Sequence, residues 1–351
     1  MGKKVLVAVG NEGLGYANRC IPIIEALLAQ QLEPVLASHG ESLELLESEF
    51  PQLSSYRLPT YDTSIFSKKI TSRFSRFLKN KKMNTIISEE NRMVKILMNE
   101  GNYHGIISDG RYGARHEKIP SVLITHQLQT ISNESVSNHE MLNLRYIRKF
   151  DVCWVPDMAD DPNLSGLLGH PKKSVIPITY VGPLSRFKHQ NLPKVYDVMV
   201  LLSGPEPERK HLEQKLFKEF AKSDQKILFI RGIKNGSEAL YENHNISIYD
   251  QLTGLKLQDA MNSSKTIIAR SNYSTVMDLA ALNKKAFLIP TPGLKEQEYI
   301  AKQLSSKKLA PSCRQEEFSL KHLRTMNAYK GLCHFSTTIN YGELFHFFQG
   351  K

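Results

Sequence analysis

The sequence predicts an α/β protein with two Rossmann-like, doubly wound domains whose parallel sheets face a cleft. Short apolar runs rich in β-branched residues alternate with longer amphipathic runs, which is typical of the strands and helices of a parallel sheet. The alternation breaks once, around 181–195, and then restarts. A chain of 351 residues is long enough for two domains of ordinary size. Because ligands bind beyond the carboxyl ends of such strands, we expect the functional site in the cleft.

The first domain is predicted to span 1–182. Its opening run, "KKVLVAVG" at 3–10, is apolar and predicts a buried strand, and the amphipathic run at 17–30 predicts the helix that follows. The stretch at 181–195 is polar, carries two prolines and has no period, which predicts an interdomain linker. Further strands are predicted at 33–38, 104–110, 121–127 and 151–157, and a second helix at 41–50.

The second domain is predicted over 190–335. A strand at 196–205 ends in a Ser-Gly-Pro turn, and an amphipathic run at 208–222 predicts the next helix. The tail, 336–351, predicts a final helix. Three more strands are predicted at 226–232, 266–270 and 286–290.

Composition excludes several classes of protein. Hydrophobic residues make up 41% of the chain, too many for a disordered protein, and no run of about 18 apolar residues predicts a membrane span. The first apolar run is too short for a signal peptide. The four cysteines lie far apart, so neither a metal site nor a disulfide framework is expected, and a cytoplasmic location fits best. The net charge of +11 indicates an anionic partner: nucleic acid, anionic lipid or a phosphorylated substrate.

A glycine-rich turn joins the first strand to the first helix. In "GNEGLGYANR" at 10–19, Gly10, Gly13 and Gly15 free the backbone for a tight turn and for close approach by another molecule. The spacing differs from the dinucleotide motif GxGxxG, and no acid ends the second strand, so NAD is disfavoured. A plain tight turn would have the same sequence.

The stretch "RSNYSTVMDLAALNKKAFLIP" places polar side chains at the start of a helix in the second domain. Ser271, Asn272, Ser274 and Thr275 are candidate caps, and a helix amino terminus attracts anions such as a diphosphate. Asp278 lies about one turn deeper, where a carboxylate can accept two hydrogen bonds from a ribose diol. Alternatively, the acid merely complements the helix dipole.

The next predicted strand leads to "PTPGLKEQEYIAKQL". A Pro-Gly loop there precedes a helix that begins near Gln297 and Glu298, whose amide and carboxylate groups could bind sugar hydroxyls. Two consecutive strand-to-helix turns would therefore supply an anion site, a diol acceptor and a sugar-binding pair.

These segments resemble the donor half of GT-B glycosyltransferases, above all glycosyltransferase family 28, which includes the GlcNAc transferase that forms lipid II. The family places a serine- or glycine-rich turn, a helical acid, an "AALGKPAILIP"-like strand and a polar helix in the order seen at 270–304. The segment at 10–38 resembles the family's opening loop, helix and second strand, and "KIPSVLITHQ" resembles its later "GIPVVLHEQN" strand. The resemblance covers most of the chain and is densest at 1–40, 105–130 and 196–304.

The resemblance implies a sugar transfer from a nucleotide-sugar co-substrate, most simply UDP-linked, with inversion and without a bound metal ion or other cofactor. The domain 1–182 would bind the acceptor, the domain 190–335 the nucleotide-sugar, and the tail 336–351 would return to the first domain. The nucleotide base is expected near 248–252. The implied donor-binding residues are Asp278 at the ribose, Ser271, Asn272, Ser274 and Thr275 at the phosphates, Ser203 and Gly204 in a second diphosphate loop, Arg231 beside the site, and Gln297 and Glu298 at the sugar.

Two departures from the family concern the chemistry. Many relatives have His after the glycine loop, whereas Tyr16 stands there, and a phenol with a pKa near 10 is a poor general base at neutral pH. The loop "SGPEPER" also carries acids that would repel a diphosphate if they faced it. Candidate bases, each at a predicted strand end in the first domain, are Glu12, Asp109 and His126.

A basic amphipathic stretch occupies 65–82. Apolar residues at helical spacing alternate with seven Lys and Arg residues, which suits peripheral contact with an anionic membrane, on its inner face, and hence a lipid-linked acceptor. An ordinary core helix with a solvated basic face is the alternative. No nucleic-acid-binding motif accompanies the charge, so nucleic acid is not an expected partner.

Two other functions remain open on the same fold. A sugar-nucleotide hydrolase or epimerase would need no sugar acceptor. A non-catalytic nucleotide-sugar-binding protein would agree with Tyr16 and with the acidic "SGPEPER" loop.

Overall fold

A computed structural model describes residues 2–61, 73–129, 144–233, 236–237, 241–243, 245–333, 335 and 339–348. The chain divides into two compact units. Unit 1 comprises Met1–Asp157, Leu167–Arg186 and Thr338–Lys351, and unit 2 comprises Met158–Gly166 and Phe187–Thr337. The predicted division at 182–190 thus differs from this one chiefly at 158–166, which belongs with the second unit.

The first unit is built on a seven-stranded parallel sheet with the strand order β3-β2-β1-β4-β5-β6-β7. The interior strands β1 and β4 are buried over most of their length, as expected for a parallel sheet that is covered on both faces. The strands are β1 (Lys4–Val9), β2 (Glu33–Ser38), β3 (Ser55–Arg57), β4 (Tyr103–Asp109), β5 (Ser121–Ile124), β6 (Val152–Val155) and β7 (Ile178–Tyr180).

Three long helices belong to the first unit: α1 (Gly15–Ala29), α2 (Gly40–Glu49) and α3 (Arg73–Glu100). α3 packs Val94 and Met98 against Leu6 and Ile106 of the sheet. Of the basic stretch at 65–82, the part at 65–72 and the side chains of 73–80 lie outside the described residues. Among the residues that the structure describes, no helix is both long enough and apolar enough to span a membrane.

The second unit contains a six-stranded sheet with the order β10-β11-β9-β8-β12-β13, parallel except for the edge pair β10–β11. Its core joins Val200, Leu216, Phe229, Ile268 and Phe287. The strands are β8 (Tyr196–Leu201), β9 (Ile227–Ile230), β10 (Tyr241–Asn243), β11 (Ile246–Tyr249), β12 (Ser264–Ala269) and β13 (Lys285–Leu288), and the helices are α4 (Glu208–Phe220), α5 (Gly254–Asn262), α6 (Tyr273–Ala281) and α7 (Lys295–Ser306). Two parallel-sheet α/β units therefore confirm the predicted fold class.

The tail forms a short helix, α8 (Tyr341–Phe345), continued by a 3-10 turn at His346–Phe348. Phe345 and Phe348 are buried against Trp154 of β6, with ring centroids 6.2 and 6.0 Å from that of the indole. Phe348 also packs against the backbone of Gly105 so closely that a Cβ there would lie 2.1 Å from its ring. These aromatic contacts place the described part of the tail on the first unit.

Candidate active site

Three adjacent strands of the second unit, β8, β12 and β13, end at the same edge of the sheet. The turns that follow them carry most of the predicted donor-binding residues. Ser203 and Gly204 follow β8, Ser271 and Asn272 follow β12, and the loop after β13 leads into α7 with Gln297 and Glu298. Because parallel strands end together, residues distant in sequence converge at this edge.

Hydrogen bonds link the turn after β12 to α7. The Ser271 hydroxyl donates to the backbone oxygen of Gln297 over 2.8 Å, and the Gln297 side-chain oxygen accepts from the backbone N–H of Thr291 over 2.9 Å. Glu298 accepts from the backbone N–H of Gly293 over 3.0 Å. Ser271 and Gln297 are thus buried and shape the loops, whereas Glu298 is exposed at the mouth of the Pro-Gly loop.

The amino terminus of α6 has the features of an anion site. Asn272 occupies the cap position, but its side chain donates to the Ser274 hydroxyl over 3.1 Å and does not cap the helix. The Asn272 amide oxygen is buried and has no hydrogen-bond partner among the described residues. Thr275 and Asp278 lie half-buried on the following turns of the same helix. The positive end of the helix dipole therefore lies beside polar side chains of the turn and of the first helical turns.

Thr291 is a polar residue of this edge that the sequence did not single out. It is only 2% exposed, and its hydroxyl has no hydrogen-bond partner within the described parts of the chain. That hydroxyl lies 3.5 Å from the position that a Cβ would take on Gly204. Since buried hydroxyls are nearly always paired, Thr291 is a candidate ligand-binding group between the two loops.

Arg270 connects the loops at this sheet edge through buried hydrogen bonds. Its buried guanidinium donates to the backbone oxygens of Pro290 over 3.1 Å and of Glu208 over 2.9 Å, and to the side-chain oxygen of Gln315 over 2.7 Å. Burial lowers the pKa of Arg270 to about 10, so it remains a cation at neutral pH. Arg270 thereby joins the end of β12 to the loop after β13 and to the start of α4.

The acids of "SGPEPER" are turned toward partners of their own. Glu206 accepts from Arg209 Nε over 2.6 Å, and Glu208 accepts from the Gln315 side chain over 3.1 Å. Gly204 has a φ of +104°, which favours glycine and lets the backbone turn sharply after β8. Both carboxylates are therefore engaged by neighbouring side chains.

Arg231 lies after β9 as predicted, but it is engaged by acids. Its Nε donates to Glu213 over 2.6 Å and one terminal nitrogen donates to Asp250 over 2.8 Å. Asp250 belongs to the stretch 248–252 that the resemblance assigns to the nucleotide base. The side chain of Arg231 is about one-third exposed, so the structure fits a residue that orders this loop better than a free cation.

In the first unit, the three candidate bases lie at or just beyond the carboxyl ends of β1, β4 and β5, which are neighbours in the sheet. Asp109 is fully buried, and both of its carboxylate oxygens accept from the guanidinium of Arg19. A carboxylate sealed in this way cannot reach an acceptor hydroxyl, so the prediction of Asp109 as a base is corrected to a structural ion pair. His126 is buried directly after β5.

Tyr16 fills the space beside the glycine loop. A Cβ on Gly10 would lie 3.1 Å from its ring and one on Gly110 would lie 2.6 Å from it, while Arg19 covers the ring at 4.5 Å. Burial raises the pKa of the Tyr16 hydroxyl further above its ordinary value of 10. Gly13 supports the loop with a φ of +94°, and Gly15 begins α1. Tyr16 is therefore a packing residue and an even poorer base than its residue type suggests.

Glu12 is exposed at the tip of the glycine loop. Partial desolvation by neighbouring residues raises the pKa of its carboxyl group, and the charge of the nearby Arg111 opposes that rise. Arg111 is fully buried, pairs with Glu90 of α3 over 3.1 Å and donates to the side chain of Asn11 over 3.2 Å. A buried ion pair thus supports the loop that carries Glu12.

Comparisons with known proteins agree with this architecture. Residues 207–326 match the family model of the glycosyltransferase family 28 C-terminal domain. An uncharacterised glycosyltransferase of Methanopyrus kandleri is 21% identical over 323 residues, which cover 83% of this chain and 87% of that protein. The fold of the present chain is similar to that of MurG from Acinetobacter baumannii, with a TM-score of 0.59 at 16% identity over 94% of this chain and 92% of the other.

A further structural neighbour is UGT2 of Phytolacca americana in complex with UDP-2-fluoro-glucose and pterostilbene. Its TM-score is 0.63 at 14% identity, over 99% of this chain and 93% of the other. Together these matches confirm the predicted GT-B fold and the resemblance to glycosyltransferase family 28, and they support the assignment of the chain as a glycosyltransferase.

Proposed function

We propose that this glycosyltransferase of the GT-B fold transfers a sugar from a UDP-sugar to an acceptor that is bound by the first unit, with inversion and without a metal ion. The observation that carries the proposal is the convergence of the α6 amino terminus, the Gly204 turn and the Thr291 loop at one sheet edge. The helix dipole and the backbone N–H groups there suit a leaving diphosphate. Asp278 on the same helix is assigned to the ribose diol.

The choice of UDP draws on two supports. The segment 248–252 resembles the family's base-binding stretch, and the neighbour UGT2 is complexed with a UDP-sugar. For the general base we favour Glu12, because it is exposed and the pKa of its carboxyl group is raised toward the range that suits a base at neutral pH. His126 is the second candidate.

Thermal shift against UDP, GDP, dTDP and CMP tests the donor assignment. A ligand that binds only the folded state stabilises it, by about 2.7 kcal/mol at a concentration of 100 times Kd. We expect UDP to raise the Tm of the wild type and of Asp259→Ala, a control that removes an exposed acid from α5, and we expect Asp278→Ala to lose most of the rise. An undiminished rise in Asp278→Ala would refute the ribose assignment.

Turnover separates the alternatives. A panel of UDP-sugars without an added acceptor should release little UDP from a transferase, whereas steady release of free sugar would favour a hydrolase and conversion of the sugar an epimerase. Tight UDP binding without any turnover would favour a non-catalytic binding protein.

A lipid-linked acceptor and peripheral contact with an anionic membrane are proposed on the basic stretch at 65–82. Lys81 and Lys82, its described end, are exposed on α3. Basic amphipathic helices bind anionic bilayers through both charge and apolar side chains. Cosedimentation with vesicles containing phosphatidylglycerol, but not with pure phosphatidylcholine, is the expected result, and equal binding to both would contradict the electrostatic part.

A further inference from the structure

Arg115 is a buried cation whose guanidinium has no ion-pair partner among the described residues. It lies in the loop between β4 and β5 of the first unit and is only 8% exposed. Its guanidinium makes no ion pair or side-chain hydrogen bond within the described parts of the chain, and its Nε is fully buried. An arginine stays charged in proteins, and buried charges are ordinarily paired because desolvation is costly. The buried charge of Arg115 therefore lowers the stability of the folded state unless an anion binds beside it.

The backbone around Arg115 is fixed against α3. The side-chain amide of Asn91 donates to the backbone oxygens of Gly113 over 2.9 Å and of Arg115 over 2.8 Å. Two residues further on, Glu117 pairs with Lys95 of the next helical turn over 2.7 Å. These contacts hold the loop in one conformation, so the position of Arg115 is built into the fold.

A second segment, 144–149, carries two further cations, and the charges of Arg115 and Arg145 both act on Lys149. Tyr146 stacks on Tyr112 with ring centroids 6.0 Å apart, and its hydroxyl donates to the Asn84 side chain over 2.6 Å. Lys149 Nζ lies 5.8 Å from the centre of the Tyr146 ring, and Arg145 precedes Tyr146 in the chain. Both cations are exposed and free to turn toward a ligand.

The electrostatics of the cluster agree with this placement. Partial desolvation, then Arg115 and Arg145, lower the pKa of Lys149, which is the effect of like charges close together. Among the described residues, the carboxylate that acts on Arg115 is Glu117, which is already paired with Lys95. The cluster therefore carries an excess of positive charge.

We propose that Arg115, Arg145 and Lys149 form a binding site for a phosphoryl group on the first unit. The planar fork of an arginine matches two phosphate oxygens, and several cations suit a dianion. The site belongs to the first unit, whereas the proposed donor site belongs to the second, so the inference goes beyond the donor part of the proposed function. The phosphoryl group has two possible sources: a soluble phosphorylated molecule or the headgroup of an anionic phospholipid.

The first test uses inorganic phosphate and measures Tm against chloride at matched ionic strength. We expect phosphate to raise the Tm of the wild type and of Arg92→Gln, a control that removes an exposed arginine from α3, and the apparent Kd to weaken at least tenfold in Arg115→Gln. Phosphate that binds at the proposed donor site would stabilise all these variants equally. The difference between variants thus reports this site alone, whatever the fate of the proposed function.

The second test distinguishes the sources by flotation with vesicles of phosphatidylglycerol and phosphatidylcholine. Weaker flotation of Arg115→Gln than of Arg92→Gln identifies a lipid headgroup, and equal flotation with a lost phosphate shift identifies a soluble ligand. If both the phosphate shift and the flotation are the same in Arg115→Gln and in the control, the proposal is overturned.

Two further variants guard against a folding defect and a purely structural role. The exposed pair Arg145→Gln with Lys149→Gln should fold and should weaken phosphate binding in the same direction. Arg115→Met should keep or raise Tm in phosphate-free buffer, because it removes a buried charge that pairs with no acid in the described parts of the chain. A lower Tm for Arg115→Met together with normal phosphate binding by the surface pair would assign Arg115 to structure and reject the site.

Discussion

Replacing Glu90 by Gln should destabilise the first unit by about 3 to 5 kcal/mol, although the side chain keeps its size. Glu90 and Arg111 are both fully buried and paired over 3.1 Å. The second carboxylate oxygen of Glu90 accepts from the backbone N–H of Gly113 over 2.7 Å and from the hydroxyl of Tyr61. Gln at position 90 leaves the charge of Arg111 buried without an acid. The amide NH2 of Gln also faces groups that themselves donate hydrogen bonds, so the full penalty of breaking a buried ion pair applies.

Urea unfolding followed by tryptophan fluorescence measures this change. Trp154 is the only tryptophan and lies in β6, so it reports the first unit. The neighbouring Glu89→Gln, on the exposed face of α3, should change the unfolding free energy by less than about 0.5 kcal/mol. Combining Glu90→Leu with Arg111→Met should recover much of the loss, because no charge then remains buried. A loss below about 1 kcal/mol in Glu90→Gln would refute this account of the pair.

Two further predictions concern the second unit. Desolvation, with repulsion from Lys194, lowers the pKa of Lys284 from 10.5 to about 8. Between about pH 8 and 10.5 the unfolded state binds more protons than the folded state. The free energy of unfolding should therefore rise with pH in that range, by up to roughly 3 kcal/mol, and should be flat below pH 8. Urea titrations at pH 7 and pH 10 measure this rise, and Lys284→Met should abolish it. Thr291→Val should leave Tm unchanged, since the buried hydroxyl of Thr291 has no partner among the described residues. The same variant should weaken UDP binding about tenfold when the affinity is measured by calorimetry. An unaltered affinity would exclude Thr291 from the site.

Much of the fold follows from the sequence because strands of a covered parallel sheet are apolar on both faces and read as continuous runs. The run at 3–10 contains β1, and the second domain restarts at Tyr196 as predicted. The boundaries are less well determined. The strand predicted at 196–205 ends at Leu201, because the chain turns at Gly204 with a positive φ that no hydropathy pattern reports.

The candidate site could be predicted in outline for a related reason. Strand order brings the turns after β8, β12 and β13 to one edge, so local motifs at Ser203 and Ser271 imply a common site. The residues that connect the loops of the site could not be predicted from the sequence. Arg270 bonds to Gln315, 45 positions away, and nothing in the local sequence of either residue signals that contact. The free hydroxyl of Thr291 is likewise a property of its burial, not of its motif.

Tyr16 stands where many members of the resembling family have His, and it affects which residues at this edge of the first sheet can act as a base. Its ring occupies the narrow space that Gly10 and Gly110 leave open, under the guanidinium of Arg19, so its function there is packing. The same Arg19 binds both oxygens of Asp109, which removes that acid from chemistry as well. A general base at this sheet edge must therefore be a residue other than Tyr16 and Asp109. Glu12 meets that condition, because its exposed carboxyl group lies on the loop that Arg111 supports through Asn11. Arg111, which is paired with Glu90 of α3, thus both contacts the loop through Asn11 and opposes the rise in the pKa of Glu12, and this connects the buried pair to the proposed chemistry.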